Sequence, residues 1–515
     1  MEKDITTHLK RFSPIKVTKA SINFQKIGVH PIVRLVSLEA SLESKPTKSF
    51  TTLKHWRFSK KAKCLMAGAI IAVFLISVFA FLPKQGVSIG NVGPQSGDNS
   101  TATATSSPTA PSPTATSHGK GSGSVENDNQ IGTSGTQILQ ATPPPVIESA
   151  QTINSTVWRE VAENAWTYFQ PGGGVNVDTG LPFAGGPGFQ AFTDWDLGCY
   201  IQAVIDAREL GLIGEDGAWG FDARINYVLT FLENRPLDSS GYPFQFYNSA
   251  TGDDDFGMNS TETVDGIDTG RLFVALNNLI NYNSSLQQTV DNIVLYGRSN
   301  YTALLPAVKN DILTSTSIYS YYIDSGFASF WPNLLPNPSR ILNNIFAAGT
   351  VTTYGDVSLP EAAITGDPLL CSVFELNNNS SQLMALSKEV YLASEAYYNA
   401  TGDYAAFSEG NGPSNVGYIY EWVVSPNGDA WKITGAGSDA YLNIEPIIYN
   451  KVAFSFLALY NTTYARNMVI YLEQTLPYPT YGYYDGADNS GNIVMDFGSN
   501  TNSLILDAAT YAIQK

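Results

Sequence analysis

The chain has 515 residues, and its 46 Asp and Glu against 29 Lys and Arg give a formal net charge of −17 at pH 7. Residues 1–63 are basic, with 14 Lys and Arg against four Asp and Glu, so the remainder is strongly acidic. Such an acidic domain repels polyanions, which excludes nucleic acid as its partner. All four histidines precede residue 151. This excludes His-containing zinc sites and a Ser-His-Asp mechanism from the later part of the chain.

An uncharged apolar run occupies residues 64–82. At about 1.5 Å per residue, a helix of this length spans the roughly 30 Å hydrocarbon core of a bilayer. We predict a transmembrane helix rather than a cleaved signal peptide, because the run starts late and no small-residue cleavage site follows it. The basic flank precedes the run, so residues 1–63 are predicted to be cytoplasmic and everything after residue 82 extracytoplasmic.

Two further segments follow the predicted transmembrane helix. Residues 83–150 are rich in Ser, Thr, Pro and Gly, a composition that buries too little apolar surface to fold and suits an extended stalk. Residues 151–515 contain many aromatic residues and no second linker. They are long enough for a large core, so we predict one extracytoplasmic domain there.

The most informative helix pattern begins at Thr193, in the string TDWDLGCYIQAVIDARELGL. Apolar residues recur at helical spacing from Leu197 to Ile205, and Gln202, Asp206 and Glu209 are predicted to fill the other face. Thr193 and Asp196 have capping-box spacing, and an acidic residue at 194 suits a helix N-terminus. Capping therefore explains both carboxylates, and the alternative is that Trp195 between them forms a sugar-binding floor.

A second segment repeats this pattern. Residues 196–203 read D-x-G-x-Y-I-x-A, and residues 268–275 read D-x-G-x-L-F-x-A. A glycine two positions after the Asp lets neighbouring backbones approach closely, and the apolar stripe that follows buries the helix. The repeat indicates an architecture built from recurring helical hairpins.

The domain is predicted to be mostly α-helical with small β insertions. Its best strand signal is Gly417 to Val424, followed by a turn and a second strand over residues 430–433, which predicts a hairpin. Helical stripes recur at residues 157–169, 194–210, 223–233, 267–280, 286–323 with a break near Pro306, 381–398, 445–459, 464–476 and 503–513.

Five segments together resemble a known family. They are TDWDLGCYIQAVIDARELGLI followed by FDARINYVLTFLE, then IDTGRLFVALNNL, GDPLLCSVFELN and SNTNSLILDAATYAI. In this order they resemble the family catalogued as domain of unknown function 3131, across about residues 155–513. That family is similar to the glucoamylase-like proteins. The resemblance implies an (α/α) six-hairpin toroid, with six inner and six outer helices around a cavity that binds carbohydrate.

Hydrolysis of a glycosidic bond requires an acid that protonates the leaving oxygen and a carboxylate that activates water or attacks the sugar. The catalytic candidates are acidic residues in loops or at helix starts: Asp196, Asp268, Glu361 and Glu445. Helix capping is the alternative for Asp196 and Asp268. Asp367 also resembles an N-cap, because Pro368 follows it.

Aromatic residues in and beside loops suit stacking on sugar rings, since they combine apolar faces with polar edges. The predicted substrate-binding residues are Asp194, Trp195, Trp422, Trp431, Tyr483 and Tyr484. Core packing is the alternative for the aromatic members. The run YPTYGYYDGADNSGN is the hardest to explain as core, because its Gly and Asn residues loosen it.

An acidic loop offers the one candidate metal site. Asp253, Asp254 and Asp255 are consecutive, and carboxylates are ligands that Ca²⁺ prefers. The loop lacks the twelve-residue EF-hand spacing, and a solvated acidic loop is the interpretation that we favour. No other cofactor is predicted.

These observations predict a membrane-anchored, cell-surface protein that acts on an envelope or extracellular glycan, as a glycoside hydrolase or transglycosidase with paired carboxylates. The alternative is a non-catalytic protein that binds glycan, or another envelope component, through the same cavity. Two carboxyl groups facing each other across the cavity favour the enzyme.

Overall fold

The computed structural model describes residues 147, 153–254, 263–264, 266–376, 380–413, 416–477 and 480–515. The predicted cytoplasmic segment, the predicted transmembrane helix and all of the predicted stalk except Ile147 lie outside these residues. Within them, no helix combines the length and the apolar character that crossing a bilayer requires.

The described residues contain thirteen α-helices, which we number in chain order. They are α1 (Ser155–Trp166), α2 (Asp194–Glu209), α3 (Phe221–Asn234), α4 (Gly266–Tyr282), α5 (Gln287–Val294), α6 (Leu305–Thr314), α7 (Ile318–Phe330), α8 (Ser339–Ala347), α9 (Gly366–Glu375), α10 (Ser381–Thr401), α11 (Asn450–Tyr460), α12 (Thr463–Thr475) and α13 (Ser499–Gln514).

Six of these helices form a closed inner ring. Each contacts its neighbours in the order α2, α4, α7, α9, α11 and α13, and α13 contacts α2 again. The outer helices pack on this ring: α3 on α2, α5 on α4, α6 and α8 on α7, α10 on α9, and α12 on α11. The first outer helix, α1, packs on the last inner helix, α13. This arrangement agrees with the predicted six-hairpin toroid.

Neighbouring inner helices run parallel and approach closely at glycines. On α2 and α4, Gly198 lies against Arg271 and Gln202 bonds to Asn278, so residue numbers rise together along both helices. A Cβ at Gly198 would lie 2.8 Å from the Arg271 side chain, and one at Gly270 would lie 2.4 Å from the Ile323 Cβ on α7. The close approach predicted from the repeated D-x-G pattern is therefore confirmed.

Polar side chains line the interior of the ring beyond the first turns of the inner helices. Gln202 and Asp206, which the helical pattern assigned to a polar face, are 7% and 4% exposed. Gln202 accepts a hydrogen bond from Asn278, and Asp206 faces Asp507 of α13. An inner helix is surrounded on all sides, so its polar face points toward the ring axis rather than toward water.

The helix predictions were accurate where the apolar stripe was long and failed where it was interrupted. The predicted stripe at 286–323 is three helices, α5, α6 and α7. The predicted stripe at 445–459 begins as a helix only at Asn450, because residues 447–449 form a strand. Helices α8 and α9 were not predicted from stripes. In α9 the N-cap is Thr365, so the predicted cap at Asp367 was wrong.

Ten short strands in the described residues form four small antiparallel sheets. They are β1 (Ala191–Phe192), β2 (Tyr247–Asn248), β3 (Thr350–Thr352), β4 (Ser358–Pro360), β5 (Glu409–Asn411), β6 (Tyr418–Val424), β7 (Ala430–Gly435), β8 (Ile447–Tyr449), β9 (Gly486–Asp488) and β10 (Ile493–Val494). The sheets pair as β1-β2, β3-β4, β5-β6-β7 and β10-β9-β8. Strands β6 and β7 confirm the predicted hairpin.

Candidate active site

The N-terminal ends of the inner helices meet at one end of the ring, which we call the mouth. Asp196 in the first turn of α2 accepts a hydrogen bond from Ser499, the first residue of α13, at 2.5 Å. Lys451 in the first turn of α11 is ion-paired with Asp367 in the first turn of α9. Helix N-termini carry unpaired N–H groups and a positive dipole end, which stabilise the carboxylates of Asp196 and Asp367 in these first turns.

Three buried carboxyl groups converge on consecutive residues at the start of α13. The Asp196 carboxylate accepts from the Ser499 hydroxyl, and the Asp485 carboxylate accepts from the Thr501 hydroxyl at 2.6 Å. Between them, the Asn500 amide lies 3.5 Å from the third carboxyl group, that of Glu409. The three carboxyl groups come from α2, from β5 and from the loop before β9. The start of α13 therefore joins three distant parts of the chain.

Of the three carboxyl groups, that of Glu409 has the most strongly shifted pKa. It is 5% exposed, and its carboxyl accepts hydrogen bonds from the hydroxyls of Tyr319 and Tyr418. Burial raises its pKa to about 7, Asp367 adds to the rise, and Lys451 opposes it. A carboxyl group with this pKa is protonated for much of the time near neutral pH. It therefore suits the role of a general acid.

The other two carboxyl groups are also buried but more fully hydrogen-bonded. Burial raises the pKa of Asp196, against the lowering effect of bonds from Ser499 and Thr193. Burial likewise raises the pKa of Asp485, against bonds from Thr501 and Asn411 and the charge of Lys451. Each of these carboxyl groups already accepts hydrogen bonds at both oxygens.

An aromatic cluster lies beside these carboxyl groups. The Trp195 ring lies 6.4 Å from the Tyr319 ring and 6.0 Å from the Tyr322 ring, measured between centroids. Below it, the Arg271 guanidinium lies 5.6 Å from the Trp195 ring and is ion-paired with Glu375. The Trp195 indole N–H is buried and has no hydrogen-bond partner among the described residues. Such an unpaired donor is costly unless a ligand or water accepts from it.

The β6-β7 hairpin extends this cluster. Trp422 stacks on Tyr420 at 6.0 Å and contacts Tyr319 edge-on at 6.0 Å, and Tyr420 contacts Tyr418 at 5.7 Å. The Trp422 indole N–H donates to the Thr434 hydroxyl at 3.1 Å. The mouth thus combines buried carboxyl groups with aromatic faces, the two features that binding and cleaving a sugar require.

A comparison with models of known protein families identifies the family to which this chain belongs. A family model described as "Protein of unknown function (DUF3131)" matches residues 160–320 and 351–515, more than half of the chain. The chain belongs to the DUF3131 family. This confirms the resemblance found from the sequence motifs. No curated protein gives a significant match to this DUF3131 member.

Solved structures share the fold of this DUF3131 protein. A putative glucoamylase from Bacteroides caccae is 14% identical, with 70% of this chain and 95% of that chain covered and a TM-score of 0.50. A putative glucoamylase from Bacteroides uniformis is 13% identical, with 70% and 92% covered and a TM-score of 0.50. The endo-β-1,2-glucanase from Talaromyces funiculosus, in complex with sophorose, is 12% identical, with 71% and 87% covered and a TM-score of 0.50. At these identities the likeness shows the fold alone.

Asp194 of this DUF3131 protein forms a buried ion pair with Arg235. It is fully buried, and both carboxylate oxygens accept from the Arg235 guanidinium, at 2.5 and 3.4 Å. Arg235 also contacts the Tyr301 hydroxyl. Each charge of the pair compensates the other, so the environment of Asp194 is that of a structural ion pair rather than of a substrate-binding residue. The predicted capping box of the adjacent Thr193 and Asp196 is confirmed.

Asp268 occupies the same position on α4 as Asp196 does on α2, the third residue of the helix. Because α2 and α4 are parallel neighbours, both residues lie at the mouth. Asp268 is half-buried, whereas Asp196 is 8% exposed. Asp268 therefore remains a candidate at the rim of the mouth.

The other two predicted catalytic residues are exposed. Glu445 accepts hydrogen bonds from the Ser490 hydroxyl at 2.9 and 3.0 Å. Glu361 follows β4, and its side chain lies against Gly349 and Gly428. Both side chains differ in their exposure from Asp196, Glu409 and Asp485, which are buried.

The remaining predicted aromatic residues divide between core and mouth. Trp431 packs against Tyr397 at 4.8 Å and Phe407 at 5.0 Å, and it lies on the opposite face of the hairpin from Trp422. Tyr483 is buried, with its ring 5.0 Å from the Phe454 ring. The surroundings of Trp431 and Tyr483 are therefore those of core-packing residues, the alternative to sugar binding. Tyr484 is half-buried, and its carbonyl accepts from Asn450, beside Asp485.

The candidate calcium loop is only partly described, because Asp255 lies outside the described residues. Asp253 is exposed and Asp254 half-buried in the turn after β2. Across the part of the chain that the structure describes, no group of three or more His, Cys, Asp or Glu residues is arranged to hold a metal ion.

Sequence patterns missed Glu409, Lys451 and Asn500. Glu409 stands in a short loop-like string, SEGNG, with no helix or strand period around it. Lys451 follows Asn450 at a helix start, where a basic residue opposes the helix dipole. That unfavourable placement is the one local signal that Lys451 has a special partner.

Proposed function

We propose that residues 151–515 hydrolyse glycosidic bonds of an extracellular glycan, with Glu409 as the general acid. The observation that carries this proposal is the convergence of Asp196, Glu409 and Asp485 on the first three residues of α13. Burial is the main cause that raises the pKa of Glu409 to about 7, and the ion pair of Lys451 with Asp367 also acts on it. One carboxyl group is thus available to donate a proton near neutral pH.

The second carboxylate is Asp485 or Asp196. A glycoside hydrolase needs a carboxylate that activates water or attacks the sugar carbon while the acid protonates the leaving oxygen. Asp485 bonds to Asn411, two residues beyond Glu409 on β5, and therefore lies close to the acid. Asp196 adjoins Trp195 on α2. The glucoamylase and endo-β-1,2-glucanase names of proteins with this fold support a glycan as substrate.

The location of this site relative to the cell is part of the proposal. The apolar run at 64–82, with Lys and Arg residues immediately before it, supports a single-pass anchor with residues 1–63 in the cytoplasm. The Ser/Thr/Pro-rich segment 83–150 then separates the domain from the membrane surface. A polymer at the cell surface is the natural substrate of such a tethered domain.

A non-catalytic glycan-binding protein is the second candidate function. One observation favours it: the Asp196 and Asp485 carboxylates accept hydrogen bonds at all four of their oxygens. A carboxylate that is held in this way must exchange a bond before it can activate water. In this function the same mouth binds sugar through Trp195 and Tyr319 without cleaving it.

The experiment is a screen of the full-length protein, purified in detergent, against a panel of polysaccharides with release of reducing ends as the readout. We expect Glu409→Gln to lower kcat/KM at least 100-fold, the range that a general acid contributes, with little change in Tm. Glu361→Gln and Glu445→Gln are the matched controls, because both carboxylates are exposed.

Three outcomes separate the two functions. Hydrolysis that Glu409→Gln abolishes and the control variants preserve supports the enzyme. Binding of a polysaccharide with no hydrolysis by the unmodified protein supports the glycan-binding function. Hydrolysis that survives Glu409→Gln contradicts the assignment of the general acid, and the same assay on Asp196→Asn and Asp485→Asn then shows which carboxyl groups are required.

A further inference from the structure

We propose that the three aromatic residues Tyr418, Tyr420 and Trp422, which we call the aromatic platform, bind a linear neutral polysaccharide and guide it to the mouth. This inference rests on the proposed function, and it names the class of substrate: a glycan chain of several sugar units rather than a small sugar. The platform lies on β6, the central strand of the β5-β6-β7 sheet.

The platform occupies one face of its sheet. Side chains alternate along a strand, so residues 418, 420 and 422 share a face. The intervening residues, Ile419, Glu421 and Val423, are at most 1% exposed and form the buried face. Tyr418 is 38% exposed, and the other two platform residues are half-buried. The sheet therefore presents a row of aromatic side chains away from its own core.

The same face carries the proposed general acid. Glu409 on β5 is directly opposite Tyr420 on β6, and directly opposed residues of an antiparallel pair project to the same side. The Tyr418 hydroxyl also hydrogen-bonds to the Glu409 carboxyl. A glycan lying on the platform would therefore pass beside the carboxyl group that is proposed to protonate it.

Tyr319 connects the platform to the mouth. Its ring lies 6.4 Å from Tyr420, 6.0 Å from Trp422 and 6.4 Å from Trp195, and its hydroxyl donates to Glu409. Aromatic faces consequently continue from the exposed Tyr418 to the buried Trp195. From residue 418 to residue 422 alone, a strand extends about 13 Å, which is longer than one sugar ring.

The charged side chains around the platform indicate that the bound glycan is neutral rather than anionic. The Trp422 indole is held by the Thr434 hydroxyl, and the ammonium of Lys432 lies over the ring of Tyr441 at 5.4 Å. The carboxyl groups of Glu409, Asp367 and Asp485 lie at the inner end of the row. They disfavour a polyanionic glycan, whereas a neutral chain stacks on aromatic faces without electrostatic cost.

The test is native gel electrophoresis of the full-length protein in detergent, in gels that contain linear β-1,2-glucan, amylose or alginate. We expect at least one neutral glucan, and not the anionic alginate, to retard the protein. Trp422→Ala and Tyr418→Ala should weaken the retardation at least 10-fold in the polymer concentration required. Tyr296→Ala is the matched control, because Tyr296 is 75% exposed and belongs to no part of the mouth.

Two measurements keep this inference distinct from the proposed function. Glu409→Gln should still be retarded, because the platform does not need the acid to bind. If the hydrolysis assay fails while the platform variants lose binding, the inference stands and the enzyme does not. Retardation of Trp422→Ala and Tyr418→Ala equal to that of the unmodified protein would overturn the platform, as would the absence of retardation by both neutral glucans. Circular dichroism and Tm confirm that each variant is folded.

Discussion

Lys451 and Asp367 form a buried ion pair between the first turns of two neighbouring inner helices, and each side chain is at most 1% exposed. Burial lowers the pKa of Lys451, but the carboxylates of Asp367 and Glu409 outweigh it and raise the pKa above its ordinary value. The ammonium therefore stays charged beside Glu409. Its charge stabilises the ionised form of the Glu409 carboxyl and holds the pKa lower than burial alone would set it.

Replacing this ammonium should change the pH dependence of activity. In Lys451→Met the Glu409 carboxyl loses the positive charge that lowers its pKa, so the pKa should rise and the alkaline limb of the kcat/KM profile should move to higher pH. The single variant also leaves the buried Asp367 carboxylate without its ion-pair partner, which typically costs about 3–5 kcal/mol of stability. The double variant Lys451→Met/Asp367→Leu removes both charges and should recover much of that loss. An unchanged pH profile in a folded Lys451→Met protein would show that this lysine does not act on Glu409.

Variants at Asp196 should distinguish the stability that comes from helix capping from the stability that is lost by burying a charge. Burial raises its pKa in the folded protein, so the folded state binds the proton more tightly than the unfolded state does. Its contribution to stability is therefore present below the unfolded pKa and is lost as pH rises through the folded pKa. The Asn side-chain oxygen at position 196 can also accept the capping-box hydrogen bond from the Thr193 N–H, and Asn carries no charge.

We therefore expect Asp196→Asn to be at least as stable as the unmodified protein at pH 7, with the difference disappearing near pH 3. Asp196→Ala loses the reciprocal hydrogen bond of the capping box and should cost about 0.5–1.5 kcal/mol, the typical net contribution of one hydrogen bond. Urea denaturation at several pH values measures both effects. A large destabilisation by Asn at pH 7 would mean that the negative charge itself is needed by its partners, Thr193 and Ser499.

The close packing of inner helices predicts a third result. A Cβ at Gly270 would lie 2.4 Å from the Ile323 Cβ and 2.8 Å from its Cα, so Gly270→Ala forces α4 and α7 apart. Overpacking of this kind typically costs about 1–3 kcal/mol. Gly266→Ala is a matched control on the same helix, because no residue that the structure describes lies within 4 Å of its added Cβ. Equal free energies of unfolding for the two variants would contradict the close helix contact.

Local features of the sequence predicted the helices and the hairpin well. The Thr193 capping box, the apolar stripe of α2 and the β6-β7 pair each depend on residues that are near one another in the chain. Glycine after the repeated Asp also predicted close helix packing, because the absence of a side chain has a direct geometric meaning. For these features, local physical chemistry is sufficient.

The candidate site was less predictable because it is assembled over long distances. Trp422 and Trp431 look alike in the sequence, but the strand register places them on opposite faces of the hairpin. Gln202 and Asp206 looked like a solvent-facing stripe, because the pattern does not distinguish water from a polar ring interior. Glu409 has no local signature at all. Its environment comes from α7, from β6 and from the start of α13.

Ring closure depends on the last helix of the domain. Asp196 and Ser499, which join α2 to α13, are 303 residues apart in the chain, and α1 completes its packing on α13. During synthesis, α2 is therefore made long before α13, and the ring cannot close until almost the whole domain has left the ribosome. Until then the polar interior and the apolar sides of the open ring are exposed to chaperones and proteases. The proposed catalytic carboxyl groups are brought together only in that last step, so a nascent or truncated chain has no assembled mouth with which to act on glycan.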